Sequence, residues 1–387
     1  MLEFISAFFQ LGVVMRTIPV LLVAVLVIGC VRGLTAQEKQ LQYESEGIEV
    51  SAATAEEPLG ESFSLKAALD YLEKGSLAWS RKRNCVSCHT NGTYMQMRPE
   101  LTPLLGKPTA EMREFYVKRL QQLGRADVEL VKKGFKPTQV AYVAIGLASW
   151  DAHVTGELST ETRAGLDLML KVQSEDGSWN NIDCWPPFES SSYHGATVAA
   201  MALASAPGYL EELKKDGRIG QVEKLKTYLR QTTPPHDYGR LLLLWASTRM
   251  DGLIRKQQQR ELIEMVFSHQ QEDGGWSMRT FSTPEAWGGG SRAEKLRAEP
   301  DFGTPASDGH QTGLAVIVLR DAGVSAEDPR IQKAVNWILA NQRMSGRWWT
   351  RSLNTDGFHF ITYSGTMYPL VALYKCNKLP KTDRGGD

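Results

Sequence analysis

The sequence predicts an all-α protein in which inner and outer helices form a closed double ring. The first observation is a segment with the pattern Gln-x-x-x-Gly-x-Trp, which occurs at residues 173–179, 270–276 and 342–348. The second is that an amphipathic helix precedes each copy and a helix of small and apolar residues follows it. A helix that is apolar all round must be buried, whereas an amphipathic helix can cover it from outside.

The repeated segment has a clear physical interpretation. Its glycine ends the amphipathic helix at a backbone position where other residues are strained. Its tryptophan folds back and covers the helix end with a large apolar surface. In the outer helix before the last copy, Asp328 can cap the first turn and Pro329 suits the first helical position. We therefore expect each copy to join an outer helix to an inner one.

The inner helices are predicted from runs of small and apolar residues. They begin near residues 193–197, 309–313 and 362–366. Two weaker copies fill the gaps between these units. One pairs residues 222–231 with 237–247, and the other pairs the charged segment 110–133 with the apolar helix 139–150.

The Gln-x-x-x-Gly-x-Trp pattern resembles the QW repeat of squalene and oxidosqualene cyclases and the related prenyltransferase repeats. The resemblance implies an α/α toroid over residues 63–378. The family chemistry is not carried over with the fold, because the chain has no Asp-x-Asp-Asp acid motif and no Asp-x-Cys for zinc. Asp183-Cys184 matches the start of the eukaryotic acid motif, but the match stops after two residues.

Asp308 precedes an inner helix in roughly the place of the family's acid motif, which makes it a weak catalytic candidate. Its neighbours, Gly309 and His310, differ from the motif. A helix N-cap is the better interpretation of this carboxylate.

The sequence Cys85-Val86-Ser87-Cys88-His89 carries the sharpest chemical signal in the chain. Two thiols three positions apart, followed at once by an imidazole, form the attachment signature of a c-type haem. The two cysteines can bond the vinyl groups of one porphyrin, and His89 is then placed to ligate the iron. The sequence thus predicts one covalent haem c, with His89 as the proximal ligand.

Two other interpretations fit this motif less well. A zinc site would need two further ligands at close spacing, whereas Cys30, Cys184 and Cys376 are solitary. A thioredoxin-like dithiol is expected in a βαβ context, and helical patterning surrounds this motif. The haem interpretation is therefore favoured, provided that the chain is exported.

The position of the motif within the repeats predicts where a haem would lie. Residues 65–72 resemble a degenerate outer helix, and Trp79 stands near the place of a repeat tryptophan. Residues 85–89 then occupy the loop of the first repeat. We expect this haem-binding loop at the mouth of the ring, and the long insertion at residues 277–307 to cover that mouth.

Equivalent loops in other repeats carry His194, His310 and, less regularly, His236. His194 and His310 are the leading candidates for the distal iron ligand, although a rim histidine that caps a helix is an alternative for each. Met95 and Met97 are further candidates, for which apolar covering of the haem edge is the preferred interpretation. An open sixth site is the remaining alternative.

The N-terminal segment predicts export. Arg16 precedes an uncharged apolar run at residues 18–29, which is short for a membrane span and typical of a secretory signal over residues 1–36. The run ends in a sequence that resembles a lipobox, so Cys30 is a candidate for lipidation. Cleavage after Ala36 and an uncleaved anchor are the alternatives. All three place the chain in the periplasm or cell envelope.

The remaining segments and the composition complete the prediction. Residues 37–62 are expected to form a flexible acidic tether, and residues 379–387 a disordered tail. The 44 basic and 44 acidic residues balance, which gives no indication of nucleic-acid binding.

Electron transfer or haem-dependent redox chemistry is the leading function, with a redox partner that the sequence does not identify and a hydrophobic small molecule as a candidate ligand of the toroid cavity. The alternatives are a non-redox cyclase or isomerase acting on a hydrophobic substrate, and a haem-based gas sensor.

Overall fold

A computed structural model describes residues 41–179, 186–188, 191–288 and 290–380. Two short strands, β1 (Leu41–Ser45) and β2 (Ile48–Ser51), precede a series of helices. In chain order the helices are α1 (Leu65–Arg83), α2 (Thr93–Met97), α3 (Thr102–Leu105), α4 (Ala110–Arg125), α5 (Val128–Val131), α6 (Lys136–Trp150), α7 (Thr160–Lys171), α8 (Ser192–Ser205), α9 (Tyr209–Lys215), α10 (Gly220–Gln231), α11 (Asp237–Ser247), α12 (Lys256–Ser268), α13 (Ser291–Ala298), α14 (Gly309–Asp321), α15 (Pro329–Ala340) and α16 (Ser364–Lys375).

The helices form two concentric rings. The inner ring runs α2, α6, α8, α11, α14, α16 and returns to α2, because each of these helices packs against the next and α16 packs against α2. Their residues are almost all buried. The outer helices α1, α4, α7, α10, α12 and α15 bury one face and expose the other. The fold is therefore the all-α toroid that the repeats predict.

The tryptophan of each repeat is bound to its own outer helix. The indole N–H groups of Trp179, Trp276 and Trp348 donate to backbone carbonyls ten positions earlier, at 2.9, 2.8 and 2.7 Å. All three tryptophans are fully buried. Each indole thus covers the end of its outer helix, and the same helix accepts a hydrogen bond from its N–H group.

The glutamine of each repeat joins one outer helix to the next. Its amide N–H donates to the carbonyl of the glycine four residues on, and also to a carbonyl at the start of the following outer helix. Gln173 reaches Gln221 at 3.1 Å, and Gln270 reaches Arg330 at 2.8 Å. The same side chain therefore closes a turn and sets the position of the neighbouring helix.

Gln342 makes the equivalent contact across the seam of the ring. Its amide N–H donates to the carbonyl of Ser64 at 3.0 Å, and its Oε1 accepts from the Ser64 N–H at 2.6 Å. Ser64 is the N-cap of α1, so the last repeat binds the first in the way that internal repeats bind each other. These hydrogen bonds close the toroid.

The seam is also crossed by the segment that precedes α1, where the structure differs from the flexible tether predicted for residues 37–62. Strands β1 and β2 form an antiparallel hairpin. The guanidinium of Arg347 in the last repeat donates to the Glu57 carboxylate at 2.8 Å and to the Ser51 carbonyl at 2.8 Å. The acidic composition that indicated a solvated tether instead supplies the partner of a buried arginine. Residues 37–40 lie outside the described part of the chain.

A charged cluster lies at the end of the toroid where the inner helices have their C-termini. The ammonium of Lys375 pairs with Glu100 and, at 2.7 Å, with Asp321. Arg249 lies 3.5 Å from Asp321, and the indole of Trp245 donates to the same carboxylate at 3.1 Å. This network ties the ends of α11, α14 and α16 to the segment after α2.

The insertion at residues 277–307 is folded onto the body. Trp287 is fully buried and lies 4.8 Å from the ring of His236, where it covers the start of α11. Within the insertion, Arg279 and Glu299 form a buried ion pair at 2.6 Å. Arg279 also donates to the Ser352 carbonyl, so the insertion holds the loop that precedes α16.

Most of the residues for which the sequence predicts a signal segment and a disordered tail are not described by the structure. The signal segment 1–36, with Cys30, and residues 381–387 of the predicted tail lie outside the described residues. Leu379 still packs against the core. None of the helices in the described ranges is both long and apolar enough to cross a membrane.

The seam glycine is predicted to be sensitive to added bulk. A Cβ on Gly346 would lie 2.2 Å from the backbone of Ala67, whereas one on Gly323, with nearly the same positive φ, would meet no atom within 4 Å. We expect Gly346→Ala to lower the free energy of unfolding by about 3 kcal/mol or more, and Gly323→Ala by about 1 kcal/mol, from backbone strain alone. Urea unfolding measures both. Equal losses would show that close packing at the seam is unimportant.

Candidate active site at the mouth of the ring

The loop that carries residues 85–89 is fixed by its neighbours. The Cys85 carbonyl accepts from the Trp79 indole and from the Asn91 amide, both at 3.1 Å. The Asn91 Oδ1 in turn accepts from the Ser87 N–H at 2.8 Å. Trp79, which stands near the expected place of a repeat tryptophan, lies within α1 and donates to this loop.

A tight turn brings the chain back into the inner ring. Residues Cys88–Gly92 form a π-helical turn that leads into α2. A Cβ on Gly92 would lie 2.6 Å from the Ser87 carbonyl oxygen, so only glycine fits there without a shift. This close approach holds the two ends of the motif together.

His89 is held between two hydroxyl groups and two aromatic rings. Its Nε2 lies 2.9 Å from the Ser87 Oγ, and its Nδ1 lies 2.7 Å from the Thr90 Oγ1. The imidazole is parallel to Phe360 at 5.8 Å and edge-on to Trp79 at 5.2 Å. Desolvation lowers the pKa of His89 to about 4. The ring is therefore neutral near pH 7, as a metal-ligating imidazole must be.

The two cysteines have different surroundings. The Cys85 Sγ accepts from the Gln139 amide at 2.9 Å, and the Gln139 Oε1 accepts from the Arg119 guanidinium at 2.9 Å. Cys88 is buried. The first sulfur thus faces a polar group supplied by α6.

Cys85, Cys88 and His89 line one cavity of about 400 Å³ at the N-terminal ends of the inner helices. This volume falls within the range of roughly 300–1,000 Å³ that is usual for cofactor sites. The other lining residues are Trp79, Val86, Ser87, Phe135, Gln139, Pro186, Phe188, Ser352, Asn354, Thr355, Phe360 and Ile361. Two thiols and a neutral imidazole in a mainly apolar wall are chemically suited to a covalently held, largely apolar macrocycle.

The structure places His194 and His310 behind this cavity. Phe188 lines the cavity and contacts both imidazoles edge-on, at 5.8 and 5.4 Å. The His310 ring nitrogens lie 2.9 Å from the Ser364 hydroxyl and 3.1 Å from Tyr238. Both histidines are thus brought to the same end of the ring as His89, but neither is among the residues lining the cavity.

The other distal candidates are placed away from the cavity lining. Met95 and Met97 are fully buried in α2. His236 is the N-cap of α11, where its Nδ1 accepts from the Gly239 N–H at 3.0 Å. Of the described residues, no group of three or more His, Cys, Asp and Glu side chains could hold a metal ion.

Comparison with known proteins agrees with this architecture. Residues 236–378 match the squalene-hopene cyclase C-terminal domain family. The chain is 26% identical over 260 residues to the squalene–hopene cyclase of Bradyrhizobium diazoefficiens, and 24% identical over 257 residues to a probable squalene–hopene cyclase of Sinorhizobium fredii. These similarities agree with the α/α toroid fold. They cover 59% of this chain, and it spans only 36% and 37% of the two relatives.

Within this toroid, Asp308 is a helix cap, as the sequence indicates. Its Oδ1 accepts from the Gln311 N–H at 2.9 Å, and its Oδ2 accepts from the Met278 N–H at 2.7 Å. Burial raises the pKa of Asp308 to about 6, against the lowering effect of these hydrogen bonds. Asp308 is not among the residues lining the cavity beside Cys85.

Thr90, Gln139 and Phe360 belong to the site but were not predicted from the sequence. Gln139 is a buried amide in a mainly apolar inner helix, and this contrast is a usable signal. Thr90 and Phe360 lie outside the repeat pattern, so no periodicity marks them.

The two histidines behind the cavity are predicted to make the fold sensitive to acid. Burial lowers the pKa of both His194 and His310 to about 3. These two histidines therefore take up protons below about pH 6.5 in the unfolded chain, but remain neutral in the folded chain. Each histidine should remove about 2 kcal/mol of stability between pH 7 and pH 5.

Urea unfolding of the wild type and of His310→Gln at both pH values isolates one contribution. The raised pKa of Asp308 acts in the opposite direction, and it is common to both proteins. We expect the variant to lose about 2 kcal/mol less than the wild type on acidification. An identical pH dependence in the two proteins would contradict the burial argument.

Proposed function

We propose that this chain is an exported c-type haem protein whose haem lies at the mouth of a squalene-cyclase-like toroid. The observation that carries the proposal is that Cys85, Cys88 and His89 all line one mainly apolar cavity. A dithiol and an imidazole in sequence are a signature only, whereas their shared cavity gives that signature room for the group it implies.

The residues present fit a haem. Cys85 and Cys88 would hold it through thioether bonds, and the His89 Nε2 would be its proximal ligand. When bound, the haem would supply one-electron redox chemistry at its iron. The Trp79 and Phe360 rings pack against the imidazole and restrain its orientation. Exclusion of solvent and the choice of axial ligand are the means by which proteins set a haem potential.

Electron transfer, or haem-dependent redox chemistry on a small hydrophobic molecule, is the function that this site supports best. The apolar wall formed by Phe135, Phe188 and Ile361 suits either a haem edge or an apolar molecule beside it. The uncharged run at residues 18–29 supports the proposal of export, and Cys30 is a candidate membrane tether. The periplasm or cell envelope is the compartment in which such a haem is attached.

The test is attachment itself. The full chain is produced in the periplasm together with the haem-attachment machinery and analysed for haem that survives denaturation. We expect covalent haem in the wild type, single-thioether products in Cys85→Ser and Cys88→Ser, and none in the double variant. Pyridine haemochrome spectra and mass spectrometry of haem peptides distinguish these products.

Cys376→Ser is the matched control, because Cys376 is also a buried cysteine but lies at the end of α16, outside the cavity lining. It should retain the full haem content. Absence of covalent haem from folded wild-type protein, under conditions that load another c-type protein, would overturn the proposal.

A non-redox cyclase or isomerase is the second candidate, favoured by the similarity to proteins named squalene–hopene cyclase. Asp308 is the residue placed most like an acid motif, yet both of its carboxylate oxygens accept backbone N–H groups. We therefore expect no conversion of squalene by the wild type, measured by gas chromatography of extracted lipid. Conversion that Asp308→Asn abolishes would instead support this second candidate.

A further inference from the structure

We propose that Thr90 is a positioning residue that fixes the tautomer of His89, so that Nε2 is the nitrogen presented to the cavity. The inference rests on the proposed haem function. It concerns the Thr90 hydroxyl, which lies 2.7 Å from the His89 Nδ1. Thr90 follows the attachment motif and is not part of it.

The two hydroxyl groups beside His89 lie on different sides of its ring. Ser87, next to Nε2, lines the cavity. Thr90, next to Nδ1, is fully buried in the π-helical turn and is not part of the lining. The Nε2 edge of the imidazole therefore faces the cavity, and the Nδ1 edge faces the body of the first repeat.

A ligand bound at Nε2 requires the tautomer in which Nδ1 carries the proton, and Thr90 offers that proton an acceptor. If Nδ1 carries the proton, it donates to the Thr90 Oγ1, and Nε2 keeps its lone pair and accepts from the Ser87 hydroxyl. A serine hydroxyl at the edge of a cavity can turn away when another partner arrives. A metal-ligating histidine usually donates its second ring N–H to a fixed acceptor, which orients the ring and raises its basicity.

The aromatic contacts restrain the plane of the ring but do not choose between its nitrogens. Phe360 is parallel to the imidazole within 10°, and Trp79 is nearly perpendicular to it at 86°. Neither ring offers a hydrogen bond to Nδ1. Thr90 is the residue that contacts Nδ1, the nitrogen on the side of the ring away from the cavity.

The hydrogen bond to Thr90 has a measurable consequence for a bound haem. A more basic imidazole stabilises the ferric state relative to the ferrous state, and so lowers the midpoint potential. Thr90→Val removes the hydroxyl with little change of shape and should raise the midpoint potential. Thr90→Ser keeps the hydroxyl and should return the potential towards the wild-type value.

Ser87→Ala is the matched control, since it removes the other hydroxyl at a similar distance from the same ring. In the haem-loaded protein the iron would replace the Ser87 hydroxyl as the partner of Nε2. Removal of this hydroxyl should therefore leave the midpoint potential close to that of the wild type. All variants are tested as the full haem-loaded chain by redox titration of the absorption spectrum. Haem content is measured separately as pyridine haemochrome.

The outcomes separate the two proposals. An unchanged potential in Thr90→Val at full haem content overturns the role of Thr90 and leaves the haem function standing. A shift in Ser87→Ala as large as that in Thr90→Val, or no recovery in Thr90→Ser, overturns it as well. A wild type without covalent haem overturns the proposed function, and the inference with it.

Discussion

The architecture depends on one hydrogen-bonded junction, in which a glutamine amide joins the end of one outer helix to the start of the next. Gln173, Gln270 and Gln342 each donate to the glycine carbonyl of their own turn and to a carbonyl of the following helix. Because the glycine has no side chain, the turn can rest directly on the backbone of that helix. These three junctions position the helices that they join, and the ring closes where Gln342 binds Ser64.

Closure of the ring also assembles the candidate site. His89 and Trp79 come from the first repeat, whereas Phe360 and Ile361 come from the loop before the last inner helix. That loop is held from outside by Arg279, whose guanidinium is fixed by the buried Glu299 carboxylate. A buried ion pair in an insertion thus supports one wall of a cavity whose chemically active residues lie at the other end of the chain.

Local periodicity explains which parts of the structure could be predicted. The Gln-x-x-x-Gly-x-Trp copies and the apolar inner helices follow from spacing within about fifteen residues. The cap at Asp308 and the position of residues 85–89 at the mouth of the ring follow from the same spacing. The hairpin before α1 depends on Glu57 and Arg347, which are 290 positions apart, and an acidic segment gives no sign of so distant a partner. The repeat position of His194 and His310 indicates the correct end of the ring. It gives no indication that Phe188 lies between these histidines and the cavity.

The seam has a consequence for the order in which the protein is made. Ser64 and Gln342 are 278 positions apart, so the first repeat is synthesised long before the residues that enclose it. Until the last repeat has been made, the segment with Cys85 and Cys88 lacks the wall that Phe360 and Ile361 provide. A large rigid group would therefore meet this segment while its surroundings are open, and the completed ring would then enclose that group.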